Sequence, residues 1–221
     1  KKYSLDVIQC LAENPNTGEE IPINLLKDSA LDESWMSADI ERKLNCEILA
    51  RGDVQVTTAN ATTLHKNRPV VPITLRNYDG SYATTFNIRS MPQNLIPQCA
   101  VVDNQKIVDD FPEFKDFPVH PIGDGQIHII LGKDHRNLIR PQEVKAPYPN
   151  GPEMSRFLLG HGIALPRDLL KRYLEDENEE AESDSEEILV NRISVGEDED
   201  IYDMLCVEKF RKEELKDPKT M

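Results

Sequence analysis

The sequence is short of the features that mark several large protein classes. No stretch approaches the ~18 consecutive apolar residues of a membrane-spanning helix, so no membrane partner is expected. Lys1-Lys2-Tyr3 is followed by neither an apolar run nor a small-residue cleavage pattern, so no signal peptide is read there. Basic residues are scarce: 26 Lys and Arg stand against 40 Asp and Glu, a net charge of −14. Neutralising phosphates needs a basic surface, so nucleic acid is not an expected partner. The four cysteines (Cys10, Cys46, Cys99 and Cys206) contain no C-x-x-C pair, which argues against a zinc knuckle. They read as isolated thiols in a reducing compartment, hence an intracellular, cytoplasmic chain. The five histidines at 65, 120, 128, 135 and 161 lack H-x-x-x-H spacing, so neither a metal nor a cofactor is expected.

What is present divides into two materials. Hydrophobic residues make up 38% of the chain and charged ones 30%, too polar a mixture for all 221 residues to pack. Nine of the thirteen residues from Glu175 to Glu187 are acidic, and Glu197–Asp200 adds a second cluster. Self-repulsion without apolar periodicity predicts a disordered acidic linker over 169–200, one that either simply solubilises or meets a basic partner or a kinase at Ser183 and Ser185. Apolar positions at 201, 204, 205, 207 and 210 predict an amphipathic helix within 201–221. The chain opens on Lys1 rather than Met, and the whole reads as a piece of something longer, with 1–168 as its folded domain.

That domain is predicted to be mainly β with one or two short helices. Residues 3–12 and 20–26 read as strands joined by the turn-forming Asn14-Pro15-Asn16-Thr17-Gly18. A helix is predicted over 36–46 with Ser37 as its N-cap. Strands follow at RGDVQVTT, RPVVPITLRN, SYATTFNIRS and QCAVVD, with Asn77-Tyr78-Asp79-Gly80 as a hairpin turn and Pro92 and Pro97 as interruptions. Residues 103–121 read as an Asp- and Pro-rich connection, QIHIILG (126–132) as a buried strand, and a short helix follows from Asp134. His128 sits among isoleucines as a satisfied strand imidazole, and Trp35 as core that packs the helix on the sheet.

The chemistry-bearing segment is Leu25-Leu26-Lys27-Asp28-Ser29-Ala30, followed by Ser34-Trp35-Met36-Ser37. Downstream come Ile129-Ile130-Leu131-Gly132-Lys133-Asp134, then Leu138-Ile139-Arg140-Pro141-Gln142-Glu143-Val144, then Leu159-Gly160-His161-Gly162; Phe111-Pro112-Glu113-Phe114 precedes them. In this order the words resemble the aspartic-protease region of BEL/Pao-type retrotransposon polyproteins, a divergent kind of retropepsin. The resemblance covers about the first 165 residues. It implies a retropepsin-like acid-protease barrel in which Asp28, Ser29 and Ala30 form the catalytic loop. The Gly132 turn packs beneath that loop, and a β-hairpin flap near 52–70 closes over a peptide or polyprotein substrate.

One such domain supplies one Asp, so the resemblance implies a homodimer pairing two copies of Asp28. Two carboxyls a few ångströms apart share a proton: one activates water while the other polarises the peptide carbonyl. Ser29 would lock the loop rather than react. The chain departs from the pattern at three places. Ala30 replaces a Gly and would strain the loop if φ there were positive. Lys27 replaces an apolar residue and would hold the pair ionised if it faced the Asp. The presumed flap has no Gly after Gly52. The departures leave a second expectation open, a catalytically degenerate domain of the same fold serving as a dimerisation or peptide-binding module. A glycosidase-like pairing of Asp28 with Asp32 or Glu33 is set aside, because nothing else in the sequence complements it.

Overall fold

Apolar alternation and Gly-containing turns organise most of the chain into strands. The computed structural model describes residues 7–57, 62–99, 101–118, 120–121 and 123–174. The predicted acidic linker from residue 175 onward, the predicted 201–221 helix and Cys206 lie outside the described residues. The first hairpin is present as expected: β1 (Val7–Glu13) pairs antiparallel with β2 (Glu20–Lys27), with Gly18 at φ +73° in the turn. Next come β3 (Trp35–Ser37) and α1 (Ala38–Leu44). Ser37 caps α1 by accepting the Ile40 N–H, and the helix ends at Asn45 in the left-handed region. The helix begins two residues later than predicted because Trp35–Ser37 pair as a strand with residues 89–91.

A long antiparallel ribbon follows, β4 (Ala50–Thr57) with β5 (Thr62–Arg76), and β5 then pairs with β6 (Ala83–Met91). Gly80 takes φ +72° in the predicted turn between those two, and Pro92 ends β6. The described residues of segment 98–103 do not form the strand the sequence predicts; they make single bridges, Gln98 to Gln126 and Val102 to Leu174. Nor is 103–121 a mere connection. It holds α2 (Asn104–Asp110), capped by Asp103, which accepts the Lys106 N–H. The apolar run condenses to β7 (Ile129–Leu131), followed by a short turn of helix and α3 (Arg136–Ile139). Then β8 (Glu143–Lys145), β9 (Glu153–Phe157) and β10 (Gly160–Ala164) form an antiparallel meander, and α4 (Arg167–Tyr173) closes the described chain. Tyr173 is fully buried, so packed structure continues past the boundary predicted at 168.

The ten described strands form one sheet in the order β4-β5-β6-β3-β7-β2-β1-β10-β9-β8, and β5 pairs again with β1. Six strands (β1, β2, β7, β3, β6 and β5) therefore make a closed circuit of pairings. Alternate residues of each enter one cluster, among them Ile8, Leu25, Ile129, Met36, Ile88 and Ile73. The other faces of β2, β3 and β7 supply a second cluster: Leu26, Trp35 and Ile130 meet Val54 and Val56 of β4. Trp35 is core as predicted, but it packs in this second cluster, whereas Ile40 and Leu44 of α1 belong to the first. A third cluster joins Ile107 of α2, Phe114, Ile163 of β10 and Tyr173 of α4. Cys10 and Cys46 are buried free thiols, in accord with their reading as isolated; Cys99 is half-buried and its Sγ–H donates to the Gly125 carbonyl. No described helix is long and apolar enough to cross a membrane.

Candidate active site

β7 is apolar at every position because both its faces are buried, Ile129 and Leu131 in the first cluster and Ile130 in the second, while β2 and β3 pair along its two edges. It runs parallel to β2, Leu25 opposite Ile129 and Lys27 opposite Leu131. The two strands thus end together, and the turns that leave them meet. The Asp28 N–H donates to the Leu131 carbonyl at 2.9 Å, and the Lys133 N–H returns a bond to the Leu31 carbonyl at 2.8 Å. Gly132 lies between. A Cβ there would stand 2.5 Å from the Leu31 oxygen, so only glycine lets the turns approach this closely. The expected packing of the Gly132 turn against the Asp28 loop is observed.

Within the loop, Asp28 Oδ1 accepts the Ala30 N–H at 2.8 Å, and the Leu31 N–H donates to the Asp28 carbonyl at 3.2 Å. This is an Asx-type turn in which the carboxylate is held by its own backbone. Asp28 is half-buried and Ser29 exposed. Burial raises the Asp28 carboxyl above its ordinary value, opposed by the Ala30 and Leu31 N–H groups and by the charge of Lys133. Two predicted departures take a different form here. Among the described residues, the non-glycine positions with positive φ are Asn45, Asn67 and Asn150, so Ala30 carries no left-handed strain. Lys27 sends its ammonium over the Phe157 ring, 3.6 Å from the centroid, and the charge of Lys133 acts to lower the Asp28 carboxyl.

The following residues, Ser34-Trp35-Met36-Ser37, have distinct physical duties. Trp35 and Met36 fill the second and first clusters, and Ser37 caps α1. Ser34, 1% exposed, is a hydrogen-bond node. Its hydroxyl lies 2.6 Å from Asp134 Oδ1, its N–H donates to Asp134 Oδ2 at 2.8 Å, and it accepts the Gly132 N–H at 2.9 Å. Burial alone would raise the Asp134 carboxyl; hydrogen bonds from His135 and Ser34 hold it below its ordinary value instead. The sequence supplies both Ser34 and Asp134 as motif residues, but nothing in it shows that they touch. Lys133 was likewise missed, and its place in the turn between Gly132 and Asp134 was the only signal.

Asp32 and Glu33 do not join Asp28 as a second carboxylate pair. Asp32 meets Lys133 at 3.1 Å and Glu33 meets Arg89 at 3.0 Å. His128 Nδ1 accepts the Asn24 N–H at 2.9 Å, which satisfies the imidazole as expected. The expected flap region is the β4–β5 ribbon, whose tip at 58–61 lies outside the described residues. Its base bulges between Gly52 and Val54, and Asp53 Oδ1 takes the Asn67 N–H. Val54 and Val56 turn inward to the cluster that also holds Leu31, three residues past Asp28.

No family model, curated protein or solved structure matches the chain. Among the described residues no group of three or more His, Cys, Asp or Glu side chains is arranged to hold a metal ion. What the arrangement offers is a half-buried carboxyl, backbone-anchored at the junction of two parallel strands, in a loop whose Leu31 packs in the same cluster as the inner face of the β4–β5 ribbon.

Proposed function

We propose that the chain is a retropepsin-like aspartic endopeptidase that works as a homodimer, with the BEL/Pao-type retroelement polyprotein as its substrate class. The observation that carries this reading is the anchoring of Asp28. Its carboxyl leaves the end of β2 in a turn stitched to the end of parallel β7, with Ala30 N–H on Oδ1. On this reading the closed circuit of six strands is the acid-protease barrel, and the β4–β5 ribbon is the flap that excludes water from the reaction.

A single Asp28 cannot be acid and base at once, so two copies come together. At close range the pair keeps one proton, because both carboxyls ionised would repel strongly. The ionised member takes a proton from water, the water attacks the peptide carbonyl, and the protonated member donates to the developing oxyanion. Burial that raises Asp28 favours proton retention by the pair. On this reading exposed Ser29, beside Asp28, locks the loop to its twin in the second subunit. The absence of left-handed strain at Ala30 and the placement of Lys27 over Phe157 both support an intact loop.

The test compares wild type with Asp28→Asn on a peptide library at about pH 5, where a shared-proton pair is competent, with dimer confirmed by sedimentation. Cleavage that disappears in Asp28→Asn establishes the activity. A stable dimer that cleaves nothing selects the degenerate, peptide-binding reading, and a monomer removes the retropepsin assembly altogether.

A further inference from the structure

His135 follows Asp134, and its role is set by the supply of protons around Ser34. The imidazole Nδ1 lies 3.0 Å from Ser34 Oγ and 3.3 Å from Asp134 Oδ1. Its ring is tilted against Phe86 of β6, centroids 4.0 Å apart. Ionised Asp134 can only accept hydrogen bonds. The one Ser34 hydroxyl proton is directed to Asp134 Oδ1 at 2.6 Å, and Gly132 N–H already donates to the same hydroxyl oxygen. Nothing is left on Ser34 to give to the ring. The 3.0 Å approach is bonded only if Nδ1 itself carries a proton.

We infer that His135 is a positioning residue held in the Nδ1–H form, which completes the donor set on Ser34 and Asp134 and thereby fixes the Gly132 turn against the Asp28 loop. The chain of contacts is continuous. His135 holds Ser34 and Asp134, Ser34 holds the Gly132 N–H, and the residues flanking Gly132 bond Asp28 and Leu31. Phe86 fixes the plane of the ring, so the proton points inward. The structural part of the inference stands on this geometry; only its effect on turnover rests on reading Asp28 as the catalytic carboxyl.

Two variants separate donation from packing. In His135→Asn the side-chain amide nitrogen falls where Nδ1 was, so a donor is kept and the ring is lost. In His135→Phe the ring against Phe86 is kept and the donor is lost. Amide hydrogen exchange at Ala30, Leu31 and Lys133 is expected to speed up by about tenfold in His135→Phe, the equivalent of one net hydrogen bond, and to change little in His135→Asn. Nitrogen-15 spectra of the neutral wild-type imidazole are expected to show Nδ1 protonated. With a cleavable peptide, His135→Phe is expected to lose about 10- to 100-fold in kcat with KM nearly unchanged, as a small misplacement of a catalytic group does.

A neutral ring protonated on Nε2 overturns the inference, whether or not either variant folds. So does the reverse exchange order, with Phe like wild type and Asn accelerated, which is the signature of packing alone. If no form cleaves but exchange and tautomer come out as expected, the positioning role stands and the protease reading fails. If wild type and His135→Phe cleave equally and exchange equally at Ala30, Leu31 and Lys133, the protease reading stands and the positioning role fails.

Discussion

Ser34 and Asp134 are one hundred residues apart in sequence and 2.6 Å apart in the fold. With the Gly132 N–H on the same hydroxyl, the pair ties the loop after β2 to the turn after β7. The carboxyl proposed to do chemistry sits on one of those turns, held by that turn's own backbone, and the Asp28 N–H bonds across to the end of β7.

Removing the tie should cost more than an exposed hydrogen bond, because both partners are left short inside the protein. Ser34→Ala is expected to lose about 1–3 kcal/mol, read as a lower urea midpoint with an unchanged slope. A loss no larger than that of an exposed Ser→Ala control would mean that the node is not under tension in the fold.

Asp134 predicts a pH signature for the same node. Its folded pKa is depressed, so its contribution is present above the unfolded carboxylate value of about 3.9 and is lost as pH falls through the lower folded value. The stability gap between wild type and Asp134→Asn should therefore be widest near neutrality and close in acid. Chemical denaturation across that range measures it; a gap that does not narrow in acid refutes the assignment.

Asp28 has the opposite sign. Burial raises its folded pKa, so its favourable contribution is present below the unfolded value and lost as pH rises through the folded one. Asp28→Asn keeps a carbonyl oxygen for the Ala30 N–H while removing the charge. It is expected to melt above wild type at neutral pH and to match it in acid. Thermal melts at the two extremes suffice, and a mutant less stable than wild type at neutral pH would contradict the burial argument.

Lys133 is the cation that lowers Asp28, and its pair with Asp32 is exposed on both sides. Lys133→Gln should leave stability within roughly 0.5 kcal/mol of wild type. It should also move the cleavage profile upward in pH, since a positive charge near the carboxyl is gone. An unmoved profile would show that Lys133 is screened from the site.

Gly132→Ala tests the closeness of the two turns. Gly132 has φ −99°, which alanine adopts freely, so the cost is purely the Cβ against the Leu31 carbonyl 2.5 Å away. Overpacking against backbone is expected to cost roughly 1–3 kcal/mol or more. A neutral effect on the denaturation midpoint would mean that the loop yields.

Local rules explain which elements could be read from the residues. Turn chemistry at Asn14–Gly18 and Asn77–Gly80, the Ser37 cap and the apolar run before Gly132 each act within a few residues, and each appears in the structure. Val101 and Val102 carry β-forming side chains, yet among the described residues this segment forms only isolated bridges, Val102 meeting Leu174 and Gln98 meeting Gln126. α2 was hidden in an acidic stretch, although Asp103 caps it and Ile107 is its buried anchor.

The residue types by themselves determined a mainly β chain, a carboxyl in a tight turn at the end of β2, and an all-apolar strand that had to be buried on both faces. Periodicity and turn preference are short-range properties, and one chain carries them wherever it folds. Only the tertiary structure decided that β7 lies between β2 and β3, parallel to the first and antiparallel to the second, that Ser34 meets Asp134, that Lys27 lies over Phe157, and that the charge of Lys133 acts on Asp28. Those are pairings across roughly a hundred residues, set by which buried faces and hydrogen-bond donors are mutually satisfied when all the strands close together.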